Sequence, residues 1–287
     1  GIYSDWLHLS VIQPLQPGDE NYANGLVVPV NAPGLKLYQR RAYAKPDMNS
    51  VDYPLSTRFD ETDSYVIFDH VFVPWENVYC YRNIDVCRDQ WRLTPSHAYG
   101  NLQAQVRYAV KLRFMMGLAK RMNEMTGNIA APPVQVMMGE LAALVSIYEG
   151  MLLAQETVAP IKDGVLWPSP LTLYSAMAMQ SEFNGRMLET IRELVSSSVI
   201  SLPSSAADFD NPEIAPLIER YMCSGTMDAK SRTALVRLLW DFLGTEFGSR
   251  QQQYEKFYGG SPGIVKQSVY RNFDFKRATA LVDAALK

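Results

Sequence analysis

Residues 94–125 read TPSHAYGNLQAQVRYAVKLRFMMGLAKRMNEM, and this stretch decides the fold. Thr94, Pro95 and Ser96 make a helix start, a hydroxyl cap followed by a proline in the first turn, where its missing N–H costs nothing. His97 therefore falls in that first turn. From Tyr108 to Ala119 the apolar residues Tyr108, Val110, Leu112, Phe114, Met115, Met116 and Leu118 leave narrow polar lines at Lys111 and Arg113, which predicts a central helix covered on more than one side. Lys120 and Arg121 occupy its last turns, where cations suit the helix dipole, and the run from Gly127 to Pro133 ends it.

Around this helix lies a chain of 287 residues, 47% hydrophobic, long enough to bury a substantial core in two domains or one large one. Its charge of -3 comes from 27 basic and 30 acidic residues with interspersed signs and no basic run, so a nucleic-acid partner is not expected. Cys80, Cys87 and Cys223 are an odd count without CxxC spacing, which predicts neither a disulfide framework nor structural zinc and points to a reducing, cytoplasmic compartment. The longest uncharged run, Gly164 to Ser181, contains Pro168, Pro170 and several hydroxyls, wrong for a membrane span. The start, Gly1-Ile2-Tyr3, lacks a methionine and a signal-peptide pattern, and predicts a sequence that begins inside a larger protein.

Residues 1–92 read as a β region. Trp6 to Ile12, Gly25 to Val30, Leu35 to Arg41 and Ser64 to Val73 are short, rich in β-branched and aromatic residues, and bounded by turns at Gln16-Pro17-Gly18-Asp19 and Ala32-Pro33-Gly34. No ten-residue helical period intervenes, and the polar stretch from Ala44 to Asp63 is a surface connection or a loop over a site. Residues 93–287 read as long helices: Val134 to Gln155, Pro170 to Leu194, a short one capped by Asn211-Pro212-Glu213 and ending near Met222, a long one from Asp228 to about Tyr254, and a last one from Asp274 to Leu286. Strands first and helices afterwards give an α+β chain with segregated layers.

No GxGxxG, GxxxxGK[ST], GxSxG or HExxH pattern occurs, so nucleotide-loop, nucleophile-elbow and zincin chemistry have no support. Histidine chemistry is confined to His8, His70 and His97. His8 and His70 sit within or at the end of strands, where a histidine is usually structural. His97 has two readings: a capping or surface histidine, or a site histidine held neutral and proton-accepting by the positive end of the helix dipole. The serine-rich segment Ser196 to Ser205 is either an ordinary loop or a set of N–H and hydroxyl donors for a polar ligand such as a pyrophosphate. Gly248 to Gly260 ends a helix with amides, aromatics and paired glycines, which fits a plain glycine stop as well as a ligand contact.

The runs Pro54-Leu55-Ser56-Thr57-Arg58-Phe59-Asp60-Glu61-Thr62-Asp63, Val66 to Glu76, Asn101 to Arg107, Leu202 to Phe209, Asn211 to Ile214 and Glu246 to Arg250, in that order, resemble the 4-hydroxyphenylacetate 3-hydroxylase family. These are oxygenase components of two-component flavin monooxygenases, and the resemblance covers essentially the whole chain. It implies an acyl-CoA-dehydrogenase-like fold: a middle, barrel-like β domain at 1–92, a C-terminal four-helix bundle at 93–287 that assembles a homotetramer or dimer, and an N-terminal helical domain that is expected to be absent here.

The implied activity is ortho-hydroxylation of a phenol with O2 and reduced FAD, by way of a flavin C4a hydroperoxide, the FAD coming from a separate NAD(P)H:flavin reductase; no metal, nucleic acid or membrane is implied. By the same resemblance His97 meets the phenol hydroxyl, and Ser10 and Val11 contact substrate, although Val11 lacks the hydroxyl of the family pattern. Flavin contacts fall to Ser204, Ser205, Arg250, Gln253, Lys256, Phe257, Tyr258 and Gly259. Two rivals are weighed. The family's dehydratase and isomerase branch, which acts on 4-hydroxybutyryl-CoA or vinylacetyl-CoA, holds an iron–sulfur cluster, but here Ala104 stands seven residues after His97 and no cysteine lies between Cys87 and Cys223. The other is a non-catalytic assembly scaffold.

Overall fold

A computed structural model describes residues 3–11 and 14–287, the side chain of Arg92 excepted; Gly1, Ile2 and Ile12, on which the reading of the start and of the first strand's end rests, lie outside the described residues. The chain divides into two units, residues 1–47 with 57–97 and residues 48–56 with 98–287.

In the first unit β1 (Trp6–Ser10) runs antiparallel to β2 (Gly25–Pro29), with His8 opposite Val27. Next come β3 (Leu35–Gln39), the short α1 (Ser56–Phe59, its first residue counted with the second unit) and β4 (Ser64–Phe68), which pairs with β3 so that Leu37 opposes Val66. β5 (Val78–Cys80) completes a three-stranded sheet in the order β1-β2-β5. Its register slips by one: Gly25 faces Cys80 but Leu26 faces Val78, leaving Tyr79 as the extra residue of a bulge. The Tyr79 ring lies where a side chain at 25 would stand, since a Cβ there would come 2.4 Å from the ring, so any larger residue would require the ring to move. Arg40 forks onto Asp60 at 2.7 Å and Asp63 at 2.9 Å and fastens the segment after β3 to the one before β4.

The expectation of strands alone in residues 1–92 is corrected by α2 (Ile84–Leu93), a full ten-residue helix whose Asn83 side chain accepts from the Val86 N–H at 3.0 Å. Ile84, Cys87 and Trp91 at helical spacing make a narrow apolar stripe among four charged residues, a signal the strand reading passes over.

The second unit holds most of α3 (Ser96–Thr126), then α4 (Pro132–Thr157), a small hairpin of β6 (Ile161–Lys162) and β7 (Val165–Leu166), and α5 (Pro170–Val195). Beyond these lie α6 (Ala215–Tyr221), α7 (Ala229–Leu243), α8 (Glu246–Phe257), α9 (Pro262–Asn272) and α10 (Phe275–Ala285). The whole is a mixed helix and sheet protein, mostly helical. Tyr108, Leu112, Met115 and Met122 of α3 meet Leu141 and Tyr148 of α4, Met187 and Ile191 of α5, and Val236 and Leu239 of α7 in one core. Burial of side chains of this size contributes about 1.5–3 kcal/mol each. Within one chain α3 is covered on one broad side, while Val106 and Val110 remain exposed.

Three expected helix boundaries change. The single helix from Asp228 to Tyr254 is two: Thr245 interrupts it, its hydroxyl accepting from the Gly248 N–H at 3.2 Å and donating to the Asp241 carbonyl at 2.8 Å, which both caps α8 and closes α7. Asn211 does not cap α6; its side chain accepts from the Glu213 N–H in a local turn, and α6 starts after Ile214. α9 has no counterpart in the sequence reading. Asp274 does cap α10, accepting from the Arg277 N–H at 2.9 Å.

Residues 48–56 form a strap bound to the helices by two carboxylates facing opposite ways. Asp241 of α7, fully buried, accepts from the backbone N–H groups of Leu55 (2.7 Å) and Ser56 (2.8 Å) and from the Ser56 and Thr245 hydroxyls. Asp52 of the strap accepts from Asn49, the Ser205 hydroxyl (2.9 Å) and the Ala206 N–H (3.0 Å), beside the Arg237 guanidinium at 3.3 Å.

Burial pushes the Asp52 carboxyl up, but Asn49, Ala206, Ser205 and Arg237 together outweigh it and hold the group below its ordinary value. A carboxyl depressed in the folded state adds stability above its unfolded value and loses it as pH falls through the folded one. Amide exchange in residues 48–56, corrected for intrinsic rates, is therefore expected to be flat near neutrality and to rise below about pH 4, and Asp52→Asn should remove that acid limb.

Candidate functional site

The end of α8 is fixed by one buried carboxylate. Glu255 is 4% exposed and receives Arg107 (3.2 Å) and Lys111 of α3 and the Gln180 side-chain amide of α5 (2.9 Å), the same amide reaching the Glu255 carbonyl at 3.0 Å. Arg107 also donates to the Tyr254 hydroxyl at 3.0 Å and lies over the rings of Tyr254 and Tyr258, at 4.6 and 5.3 Å. Behind Gln180, Tyr148 donates to its carbonyl at 3.1 Å; burial pushes the Tyr148 phenol far up, which keeps it a donor. Two cations face one carboxylate here. The excess charge is positive, a setting that suits an anionic or electron-rich ligand.

Beside this network opens a cleft lined by Asn101, Gln180, Ser181, Lys256, Tyr258 and Gly259, among others. Gly259 narrows it least: a Cβ there would come 2.9 Å from the Met177 methyl and 3.6 Å from the Asn101 side-chain oxygen. The glycine keeps room for a ligand edge beside backbone. Ammonium, phenol and amide groups around it are donors suited to ring carbonyls or phosphate oxygens, so the residues present fit a flavin nucleotide.

A second polar cluster lies on the β1-β2-β5 sheet of the first unit. The imidazole of His8 stacks on Tyr79 (5.1 Å between centroids, 10° between planes) and meets the edge of Trp91 at 6.3 Å. Tyr79 donates to the Leu9 carbonyl at 3.0 Å, and Gln90 of α2 donates from one amide nitrogen to the Ser10 hydroxyl and, at 2.9 Å, to the Cys87 carbonyl. Cys80 and Cys87 lie beneath, buried and unbonded with sulfurs 3.5 Å apart; burial and the neighbouring thiol push Cys87 up to about 11.

The residues singled out by sequence are distributed as follows. Lys256, Tyr258 and Gly259 line the cleft; Gln253 and Phe257 lie on the exposed side of α8 and are not among its lining residues. Arg250 lies 5.6 Å from the Tyr254 ring. Ser204 and Ser205 stand apart from the cleft. Ser204 donates to Asp208 at 2.7 Å, and Ser205 forms a capping box with Asp208 and holds Asp52, so both hydroxyls serve local structure. Ser10 and Val11 are half-buried at the end of β1, and His97 is half-buried in the first turn of α3.

Sequence reasoning passes over Glu255, Arg107 and Gln180. Lys111, as a polar line on an apolar helix, was the available signal, and Arg107 stands one turn before it; nothing local marks Glu255, 148 residues away from Arg107, as their partner. Among the described residues no group of three His, Cys, Asp or Glu side chains is arranged for a metal ion.

The class is set by the backbone. The fold matches that of the acyl-CoA dehydrogenase from Geobacillus kaustophilus with a TM-score of 0.58 over 96% of this chain and 58% of that one, at 13% identity, a likeness of fold alone. The particular family follows from closer matches. The profile described as 4-hydroxyphenylacetate 3-hydroxylase C terminal matches residues 87–287 and its N-terminal counterpart residues 1–80, so the chain belongs to the 4-hydroxyphenylacetate 3-hydroxylase family. The expectation that the family's N-terminal part is absent is corrected by that second match.

The 4-hydroxyphenylacetate 3-monooxygenase oxygenase component of Escherichia coli is 34% identical over 276 residues, 93% of this chain and 53% of the relative. A crystal structure of the oxygenase component of 4-hydroxyphenylacetate 3-monooxygenase complexed with FAD superposes with a TM-score of 0.91 at 30% identity, covering 99% of this chain and 59% of that one. The chain thus spans about half the length of the curated relatives it matches.

Glu255→Gln keeps the shape but leaves Arg107 and Lys111 facing an amide, so stability in urea should fall by about 2–4 kcal/mol. A loss below about 0.5 kcal/mol would mean that the network acts as an ordinary surface ion pair.

Proposed function

We propose that this chain is the oxygenase component of a two-component flavin monooxygenase that hydroxylates a phenol ortho to its hydroxyl, with reduced FAD from an NAD(P)H:flavin reductase and O2. The observation that carries the reading is the donor-lined, positively biased cleft at the end of α8 in a chain of this family, whose relatives are named as oxygenase components and whose solved homologue is complexed with FAD. Bound FAD supplies the oxygen activation. The chain supplies the rest: Lys256, Tyr258 and Gly259 hold the flavin nucleotide, Arg107 and Glu255 fix that segment, Ser10 and Val11 touch the phenol, and His97 accepts a hydrogen bond from the phenol hydroxyl and makes the ring more nucleophilic. The family resemblance also assigns Ser204, Ser205, Arg250, Gln253 and Phe257 to the cofactor, and these stand outside the lining of this cleft.

The domain reading is a barrel-like β domain over residues 1–92 and a four-helix bundle over 93–287. The bundle assembles a tetramer or dimer, because apolar residues of its helices stay uncovered in one chain: Val106 and Val110 of α3 and Val136 (72%), Ile147 (53%) and Leu153 (65%) of α4. α4 is also long and apolar enough to cross a membrane by composition, with mean hydropathy 1.5 in its most apolar window. Its Glu140 and Glu149, however, pair with Arg186 and Arg113 of neighbouring helices, which favours a protein partner and a cytoplasmic setting. Light scattering should find a dimer or tetramer of the full-length protein at micromolar concentration; a folded monomer would contradict this.

The chemistry is tested with the full-length protein, a flavin reductase, NADH and a panel of phenols headed by 4-hydroxyphenylacetate, with catechol formation as the readout. His97→Ala should leave FAD binding nearly intact, slow hydroxylation by about 10²- to 10⁴-fold and raise hydrogen peroxide released per NADH. Wild-type product yield per flavin oxidised in that variant would remove His97 from the phenol.

A further inference from the structure

Successive side chains of a strand point to opposite faces, so Trp6, His8 and Ser10 share one face of β1, and Leu7 and Leu9 the other. Ser10 pairs with Gly25, and the side chain that Gly25 lacks would stand beside Ser10 on that same face. The Tyr79 ring from the β5 bulge takes this space, crosses β2 and donates to the Leu9 carbonyl at 3.0 Å. It meets His8 there. The imidazole is braced by that ring, 10° from parallel at 5.1 Å, and by Trp91 edge-on at 6.3 Å.

A strand histidine kept for structure spends its ring nitrogens on its neighbours. His8 is exposed, and among the described residues neither of its nitrogens has a hydrogen-bond partner. Aromatic contacts fix the plane of the imidazole while its polar atoms stay unspent, two residues from the Ser10 hydroxyl on one face. An imidazole presents one N–H when neutral and two when protonated, so the ligand group that suits it in either state is an acceptor, and a charged acceptor most of all.

We infer that His8 is a specificity-determining residue: its imidazole donates to an anionic substituent of the phenolic substrate, such as a carboxylate, while the phenol hydroxyl is left to His97. This rests on the proposed contact of Ser10 with substrate. Val11, the other residue of that contact, offers no side-chain hydrogen bond, so polar recognition of the substituent falls to His8 and Ser10.

The test uses the full-length protein loaded with FAD and two ligands of one shape and different charge, 4-hydroxyphenylacetate and 4-hydroxyphenylacetamide, with Kd measured by calorimetry. Wild type should favour the carboxylate by about ten-fold or more, the size of one charge-assisted hydrogen bond. His8→Phe keeps a ring to stack on Tyr79 but has no N–H, and should bring the two Kd values within about two-fold by weakening the carboxylate alone. A histidine that only supported the sheet would weaken both ligands together, so the ratio separates the two roles.

Should His8→Phe not fold, His8→Leu carries the same comparison. A wild type without the preference, or a preference that survives the substitution, overturns the inference. If the preference is present and lost in the variant but no phenol yields catechol with a reductase, the proposed activity fails while the role of His8 stands. If catechol forms and the preference is absent, the reverse holds; if neither ligand binds, both fall.

Discussion

A carboxylate taken out of water must be given charge and donors in return, and Glu255 is where this protein meets that demand most strictly. Its partners come from two other helices, Arg107 and Lys111 from α3 and Gln180 from α5, so the last turn of α8 cannot shift without leaving a charge unmatched. The arrangement is weak evidence for stability, since an apolar cluster of the same volume would serve as well. Its effect is on placement: the residues that follow, Lys256 to Gly260, are delivered to the rim of the cleft in one register.

The strap 48–56 shows the same economy at a second place. Two buried carboxylates, one on the strap and one on α7, each take backbone N–H groups from the other side, so a loop with little apolar content is ordered by polar contacts. Such contacts have steep geometric requirements, which fixes one conformation where apolar contact would allow several. The Ser205 hydroxyl is recruited for this purpose, and the serine-rich segment is thereby largely explained as structure.

What could be read from the sequence follows from the range of the forces involved. The long helices α3, α4 and α5 were legible to within a few residues, because caps and apolar periodicity are local, and so were β1 to β4. α2 was passed over although Ile84, Cys87 and Trp91 recur at helical spacing, because that stripe is short and follows a run of strand signals. The break at Thr245 carried its signal in Gly244 and Thr245, a glycine stop followed by a hydroxyl cap, which the reading of one long helix passed over. In the cleft, Lys256, Tyr258 and Gly259 could be named through family resemblance, but their anchor could not, because the pairing of Glu255 with Arg107 spans 148 residues.

The bulge at Tyr79 has a consequence for how this sequence can drift. Because the ring fills the space above Gly25, the two positions are coupled: any residue larger than glycine at 25 requires the Tyr79 ring to move or a smaller residue at 79. The path from this pair to another passes through a strained or a hollowed intermediate, so the two positions should travel through evolution as a single character.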